Sequence, residues 1–435
     1  MNYDEALRFI NGRAGMGKKL GLQNMTRLLA RLGEPQNAFQ SIHVAGTNGK
    51  GSTCAFLESA LRHSGLRTGL YISPYLMRYN ERIQLGGKPI GDALLAKLTT
   101  IAAREVLAME EAGEGAATIF ELGTAIAFLA FREAGVEYAV VEVGLGGRFD
   151  PTNVISPVCC AIARIGLDHV RLLGGSIEQI AAEKAGIAKE GVPLVLQAQE
   201  GSVKAVVRAA CEARSAPFFD LSAHRPQNVA LSPLGARFRV DLPCLAGEYE
   251  IRLPGAHQVE NALTALGALS LIAKNAGLRQ EAVAEGLLQA AWPGRLEWFQ
   301  NTLLDGAHNP QGASSAASYL REHFPGERFT LLFGMMADKN VEETQKILAP
   351  LLSGAVCVRP EGIPRAKDPG ELARAFGALN VPAEEAPSTK EGLLRAQALA
   401  GDGRLLVCGS LYLVGEVRLL LEEASQDLSN QNTAT

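Results

Sequence analysis

Short apolar runs alternate with helical periodicities along most of the chain. Residues 41–45, 138–143 and 158–165 are near-continuous apolar stretches ending at glycine-containing turns, the pattern of parallel strands covered on both faces. Behind the first run, Cys54, Leu57 and Leu61 recur at helical spacing and Gly65 supplies a stop. Amphipathic spacing predicts helices over 3–10, 21–32, 92–112 and 118–134; the last is apolar at Ile119, Leu122, Ile126 and Leu129, with Gly135 as its C-cap. Ser176-Ile177-Glu178-Gln179 is a capping box that opens a helix through Ala188. Further strands are expected at 69–72, 192–196 and 216–219.

From Asn228 to Leu253 the pattern changes to alternation with turns, as in Arg237-Phe238-Arg239-Val240, which predicts antiparallel strands. An alanine-rich helix follows from Val259. Residues 292–297 combine Pro293 and Gly294 before a fresh β/α alternation, so they are expected to be a hinge. The second alternation has strands near 301–304, 328–334, 354–358, 380–384 and 404–409. From Ser425 the chain is polar and expected to be disordered.

Composition narrows the class. At 435 residues the chain exceeds one ordinary core, and 47% hydrophobic with 20% charged residues describes a globular protein and not a disordered one. A net charge of −4 excludes the strongly basic footprint of a nucleic-acid binder. The seven cysteines, with Cys159 and Cys160 adjacent and no CxxC pair, argue for free thiols in a reducing compartment and against a thiolate metal site. Asp4, Glu5 and Arg8 interrupt the first apolar stretch, unlike a signal peptide, and no run reaches membrane-spanning length. The protein is therefore expected to be cytoplasmic and monomeric, with no nucleic-acid or membrane partner.

The chemistry centres on the end of the first strand. Gly46-Thr47-Asn48-Gly49-Lys50-Gly51-Ser52-Thr53 places glycines, one lysine and hydroxyls between a strand and a helix, the arrangement that cradles nucleotide phosphates. Backbone N–H groups and the helix N-terminus face the anion, Lys50 reaches the outer phosphates, and Ser52 can approach a magnesium ion. The spacing departs from GxxxxGK[ST], since two residues separate Gly46 from Gly49 and Gly51 precedes Ser52. A plain strand-to-helix turn has no need of a lysine in its middle.

Other polar residues fall at strand ends, the crevice side of an open α/β sheet. Glu142 interrupts an apolar strand, where a carboxylate is costly unless paired or bound to a cation. A salt bridge and a magnesium ligand are both open, and a neighbouring phosphate loop favours magnesium. Asp168 and His169 close the strand at 158–165, on the same edge as Lys50, Ser73 and Glu142. The segment 74–91, polar and rich in Gly and Pro, is either a ligand-binding loop or a simple connection. Lys184, taken alone, is an ordinary helix lysine. The fold expected is α/β, with a P-loop-type, mostly parallel ATPase domain over 1–296 that carries the acceptor site, a smaller Rossmann-like domain over 297–425 and a disordered tail over 426–435.

Taken together the motifs resemble the folylpolyglutamate synthase and dihydrofolate synthase family of the Mur ligase superfamily, from about Leu20 to Val417. The resemblance rests on AGTNGKGST (45–53), LYISPYL (70–76) with NERI (80–83), TIFELGTA (118–125), VEVGLGGRFDPTN (141–153), LDH (167–169), EKAGI (183–187), PGAHQVENA (254–262), PGRLE (293–297), LDGAHNP (304–310) and GSLYLVGE (409–416), in that order. It implies ATP-dependent addition of L-glutamate to a reduced folate, with dihydropteroate as a further acceptor to be tested. Gly49, Lys50, Gly51 and Ser52 would bind the phosphates, with Asn261, Arg295 and Asp305 completing the nucleotide site. Ser73, Glu142 and His169, with Ser52, match the magnesium ligands. Lys184 matches a lysine carried as a carbamate that holds a second magnesium, which reverses its bland reading. Catalytic roles then fall to Lys50, Lys184, His169 and Arg295. Asp150 lies where the family contacts its pterin-bearing substrate, and Tyr75 and Arg82 are assigned to the same acceptor. Closure about 293–297 would bring Asp305 and His308 onto the nucleotide.

Tyr75, Pro151 and Val170 depart from the family's usual His, Ala and Thr, and Tyr75 and Pro151 bear on substrate preference. The alternative is another Mur-type amide ligase with a different carboxylate acceptor. A peptidoglycan ligase would need an extra N-terminal domain, for which about 40 residues before the phosphate loop are too few.

Overall fold

The structure is a computed structural model and describes residues 1–15 and 21–433, with the backbone alone at Arg171 and from 426 onward. The chain divides into two compact units. The first comprises Met1–Ala230, Arg237–Arg252 and Gln258–Ala290; the second comprises Leu231–Ala236, Leu253–His257 and Ala291–Thr435.

The first unit is built on an eight-stranded sheet. Its strands are β1 (Gln40–Ala45), β2 (Thr68–Tyr71), β3 (Ile83–Leu85), β4 (Lys88–Pro89), β5 (Tyr138–Glu142), β6 (Cys159–Ile162), β7 (Leu194–Leu196) and β8 (Phe218–Asp220), in the order β4-β3-β2-β5-β1-β6-β7-β8. All neighbours are parallel except β2–β3 and β3–β4. β1 therefore lies in the middle, with β5 on one side and β6 on the other. The carboxyl ends of β1, β2, β5 and β6 all open onto one edge, where an open α/β sheet keeps its ligand crevice.

The apolar runs become strands because both of their faces are covered: Ile42, Val44, Val140, Val141, Cys160 and Ile162 are fully buried. One core cluster joins the helix Ile119–Glu133 to β2 and β5 through Phe128, Phe131, Tyr71 and Val141, and another joins the helices Ile177–Ala185 and Gly201–Glu212 to β6 and β7. Gly69 sits inside β2 because a Cβ there would lie 2.6 Å from the Phe131 ring. The expected capping box is present, Ser176 Oγ accepting the Gln179 N–H at 3.3 Å and Gln179 Oε1 accepting the Ser176 N–H at 3.2 Å.

A three-stranded sheet, β9 (Gln227–Ser232), β10 (Gly235–Val240) and β11 (Gly247–Ile251), has the order β11-β10-β9. The second unit holds a six-stranded sheet of β12 (Glu297–Phe299), β13 (Thr302–Leu304), β14 (Phe329–Phe333), β15 (Leu352–Cys357), β16 (Ala383–Glu385) and β17 (Arg404–Cys408), in the order β12-β13-β17-β14-β15-β16. It is parallel except at β12–β13. A separate core, with Phe329, Leu331, Phe333 and Phe376, packs this sheet.

The structure departs from expectation in several places. The segment 74–91 is no simple connection: it contains β3 and β4, and Glu81 accepts backbone N–H groups of Leu76 and Arg78, each at 2.8 Å. The helix expected from Val259 begins at Ala256. The last helix, Leu411–Thr433, continues through residues expected to be disordered, and no glycine or proline after Gly415 interrupts its propagation. All seven cysteines are free thiols, and among the described residues no helix is long and apolar enough to cross a membrane.

Candidate active site

At the end of β1 the backbone turns through Gly46 (φ 152°) and Gly49 (φ 84°) into the helix Lys50–His63. Positive φ suits glycine at both positions. The turn is pinned to the segment after β6: the N–H groups of Thr47 and Asn48 donate to Arg164 O at 2.8 and 3.1 Å, and Thr47 Oγ1 donates to Gly166 O at 3.0 Å. Gly49 is the N-cap and no side chain caps the helix. First-turn N–H groups and the positive end of the dipole are thereby left for an anion. Lys50, Gly51 and Ser52 form that first turn, with Ser52 buried.

Two amines flank the turn. Lys50 Nζ lies 3.8 Å from Glu142 Oε1 and 3.4 Å from Thr47 O. Lys184, on the helix Ile177–Ala185, is 4% exposed, and its Nζ donates to Gly46 O at 2.8 Å. Burial pushes the Lys184 ammonium down to about 7, and the Lys50 charge acts in the same direction. The helix lysine is therefore a buried amine at the mouth of the loop.

Glu142 ends β5 and is buried. Its Oε2 accepts the Ser73 N–H at 3.0 Å, which brings Ser73, the residue before a cis proline, to the same sheet edge. His169, with φ 50°, caps the short helix Val170–Leu173, and its ring lies 3.9 Å from Asp168 Oδ2. Among the described residues no three His, Cys, Asp or Glu side chains come together as a metal site. Magnesium does not need three, because it is usually held by one or two carboxylates with water and substrate phosphates. A buried carboxylate at this sheet edge suits such a hard cation.

Asn261 projects from the helix Ala256–Ala276 to the phosphate turn: a Cβ on Gly49 would collide with Asn261 Oδ1. Gln258, which sequence reasoning missed, orients it by accepting from Asn261 Nδ2 at 3.0 Å. The spacing of three on one helix face was the available signal.

Asp150 is buried in the loop after β5. Its Oδ2 accepts the Leu145 N–H at 2.8 Å and its Oδ1 accepts the Thr152 N–H at 3.0 Å. Burial raises its pKa, opposed by these donors and by the Thr152 hydroxyl. Arg82 stacks over Tyr75 and Tyr79, with 5.3 and 5.4 Å to the ring centroids. The three acceptor-site candidates thus form two groups, Asp150 in one loop and the Tyr75–Arg82 stack in another.

In the second unit, Asp305 follows β13 and is buried, accepting the N–H groups of Leu296 at 3.0 Å and Ala307 at 2.9 Å. Burial raises its pKa and the Arg295 charge opposes that rise. Arg295 lies against Gly306, where a Cβ would collide with the guanidinium. His308 Nδ1 lies 2.9 Å from Gly306 O. The segment expected to be a hinge is tied down from Gly294 on: Gly294 N–H donates to Glu297 Oε2 at 2.7 Å, and Gly294 O accepts from Gly306 at 2.8 Å. Arg295, Asp305 and His308 are therefore brought together around one braced turn.

The profile of the Mur ligase middle domain matches residues 44–269, and that of the Mur ligase, glutamate ligase domain matches 294–411. The chain is 37% identical to the dihydrofolate synthase/folylpolyglutamate synthase of Bacillus subtilis over 429 residues, covering 97% of this chain and 99% of that one. It is 35% identical to the folylpolyglutamate synthase of Lacticaseibacillus casei, with 97% and 99% coverage. The Mycobacterium tuberculosis folylpolyglutamate synthase complexed with ADP superposes with a TM-score of 0.89 at 31% identity, over 96% of this chain and 98% of that one.

Proposed function

The chain belongs to the Mur ligase family, in its folylpolyglutamate synthase and dihydrofolate synthase branch, and we propose on that basis that it joins L-glutamate to the γ-carboxylate of a reduced folate using ATP. A carboxylate is a poor electrophile. Transfer of the γ-phosphoryl group of ATP converts it into an acyl phosphate; the glutamate amine then attacks the acyl carbon and inorganic phosphate leaves.

The observation that carries this reading is the mouth of the phosphate turn. An uncapped helix N-terminus follows Gly49, Lys50 stands in its first turn, and Lys184 Nζ lies 2.8 Å from Gly46 O. Backbone donors and the Lys50 ammonium at one anion site support stabilisation of the charge that spreads over the transferring phosphoryl oxygens. Gly49, Gly51, Ser52, Asn261, Arg295, Asp305 and His308 are assigned to the nucleotide. Asp150, Tyr75 and Arg82 are assigned to the acceptor.

Glu142, Ser73 and Ser52 would hold magnesium, which when bound neutralises phosphate charge. His169 joins them on the family resemblance alone, since a hard cation prefers oxygen. Lys184 is assigned as the carbamylated lysine. With its pKa near 7, much of it is the free amine near neutrality, the form that adds carbon dioxide and releases a proton.

The test is incorporation of labelled glutamate by the purified protein with ATP and magnesium, offering tetrahydrofolate and dihydropteroate separately. Incorporation with tetrahydrofolate alone makes it a folylpolyglutamate synthase, as the L. casei relative is named; incorporation with both makes it bifunctional, as the B. subtilis relative is named. Incorporation with neither, while ATP still binds, overturns the acceptor.

A further inference from the structure

The strand feeding the phosphate turn carries an imidazole where its neighbours are apolar. His43 is fully buried on β1, between Ile42 and Val44, which are buried as completely. Its Nε2 lies 2.8 Å from Thr152 Oγ1, while its Nδ1 has no hydrogen-bonding partner among the described residues. The Thr152 hydroxyl in turn donates to Asp150 Oδ1.

Counting protons along this row fixes the tautomer. Asp150 Oδ1 and Oδ2 each accept a backbone N–H, from Thr152 and Leu145, and a backbone N–H can only donate. Both oxygens are therefore acceptors, as in a carboxylate. The Thr152 hydroxyl has one proton and gives it to Asp150, so towards His43 it offers a lone pair. The imidazole proton then sits on Nε2, and Nδ1 keeps a bare, buried lone pair. The ring is neutral, because burial and the nearby Lys189 charge push the imidazolium down to about 3. An unpaired buried acceptor is costly, and an apolar residue at this position would avoid that cost. What the ring adds is the Nε2–H.

We propose that His43 is a positioning residue for the acceptor substrate: through the Thr152 hydroxyl it holds the Asp150 carboxylate in place as an acceptor for an N–H donor of that substrate. The proposal rests on the reading of Asp150 as an acceptor contact. Without the Nε2–H, the Thr152 hydroxyl is free to turn away. Asp150 then loses one of the donors that offset its burial and takes up a proton more readily, which sets an O–H against the substrate's own donors.

The test compares the KM for tetrahydrofolate in H43Q, H43N and D150N. Glutamine carries an amide N–H to the Nε2 position, whereas asparagine reaches only the Nδ1 position. H43N is expected to raise the tetrahydrofolate KM about tenfold, the effect of one lost hydrogen bond to a charged network, with kcat and the ATP KM within about twofold. H43Q is expected to restore the KM. An unchanged KM in H43N alongside a raised KM in D150N overturns the positioning role and leaves the Asp150 reading intact. An unchanged KM in D150N overturns both. Equal loss in H43Q and H43N means that the ring only fills space, which also overturns the role. If H43N does not fold, nitrogen-15 NMR of the wild-type histidines decides the matter. The His43 signal, assigned by its loss in H43Q, must show the Nε2–H tautomer; the Nδ1–H tautomer overturns the proposal.

Discussion

Lys50 Nζ stands 3.8 Å from Glu142 Oε1, the lysine in the first turn of the helix after β1 and the carboxylate on the last residue of the neighbouring strand β5. The salt bridge and the metal ligand that Glu142's position left open do not exclude each other. A buried carboxylate needs a counter-charge at all times, and Lys50 supplies one on the protein. Replacing Lys50 by alanine removes both that partner and the cation assigned to the outer phosphates. Glutamate ligation by K50A is expected to fall at least about a hundredfold, the usual scale for one charge-stabilising donor, with the far-UV circular dichroism unchanged. Ligation near the wild-type rate would remove Lys50 from the phosphate site.

Glu142→Gln keeps the shape of the side chain and removes its charge. The Ser73 N–H retains an oxygen to donate to, so the strand end keeps its geometry. The expected result is a magnesium titration of ligation displaced to higher concentration by about tenfold or more, since a hard cation loses its carboxylate. A superimposable titration would take Glu142 out of the metal site.

Gly286 tests the support beneath the phosphate helix. On the helix Gln280–Gln289, a Cβ at this position would lie 2.8 Å from both Ala60 N and Ser59 O of the helix Lys50–His63. Backbone cannot swing aside as a side chain can, so the two helices must separate. Gly286→Ala is expected to destabilise the first unit by about 1–3 kcal/mol in urea unfolding, and to raise the ATP KM as the helix shifts. Wild-type stability would mean that the two helices adjust without cost.

How much of this was legible in the sequence depends on how local each determinant is. The phosphate turn was readable because strand, glycines, lysine and helix are contiguous between 41 and 61. Glu142 stood out because it breaks an apolar run. Lys184 did not, because its partner Gly46 is 138 residues away and nothing on its own helix distinguishes it from a solvated lysine. His43 stayed hidden for the same reason: its partner Thr152 is 109 residues away, in the short 3-10 helix Pro151–Val154. β12 was missed because three residues pairing at a sheet edge carry almost no periodic signal. The proline and glycine at 293–294 are a local signal, but the hydrogen bonds that brace Gly294 come from Glu297 and Gly306, which no local pattern announces.

The depressed imidazole of His43 makes a prediction about acid. Its pKa falls from an ordinary 6.5 to about 3 in the fold, so between those values the unfolded chain binds the extra proton and the folded chain does not. Stability contributed by the neutral ring is fully present above pH 6.5 and is lost as the pH falls towards 3. Glutamine does not titrate. The stability difference between wild type and H43Q is therefore expected to be flat above about pH 7, then to move against the wild type by up to about 1.4 kcal/mol per pH unit between pH 6 and pH 4. The protein has two tryptophans, Trp292 and Trp298, both in the second unit, so fluorescence would follow the wrong part of the molecule. Hydrogen exchange at the amides of β1 reports the first unit directly. A difference that stays constant down to pH 4 would mean that His43 takes up its proton inside the fold at an ordinary pKa.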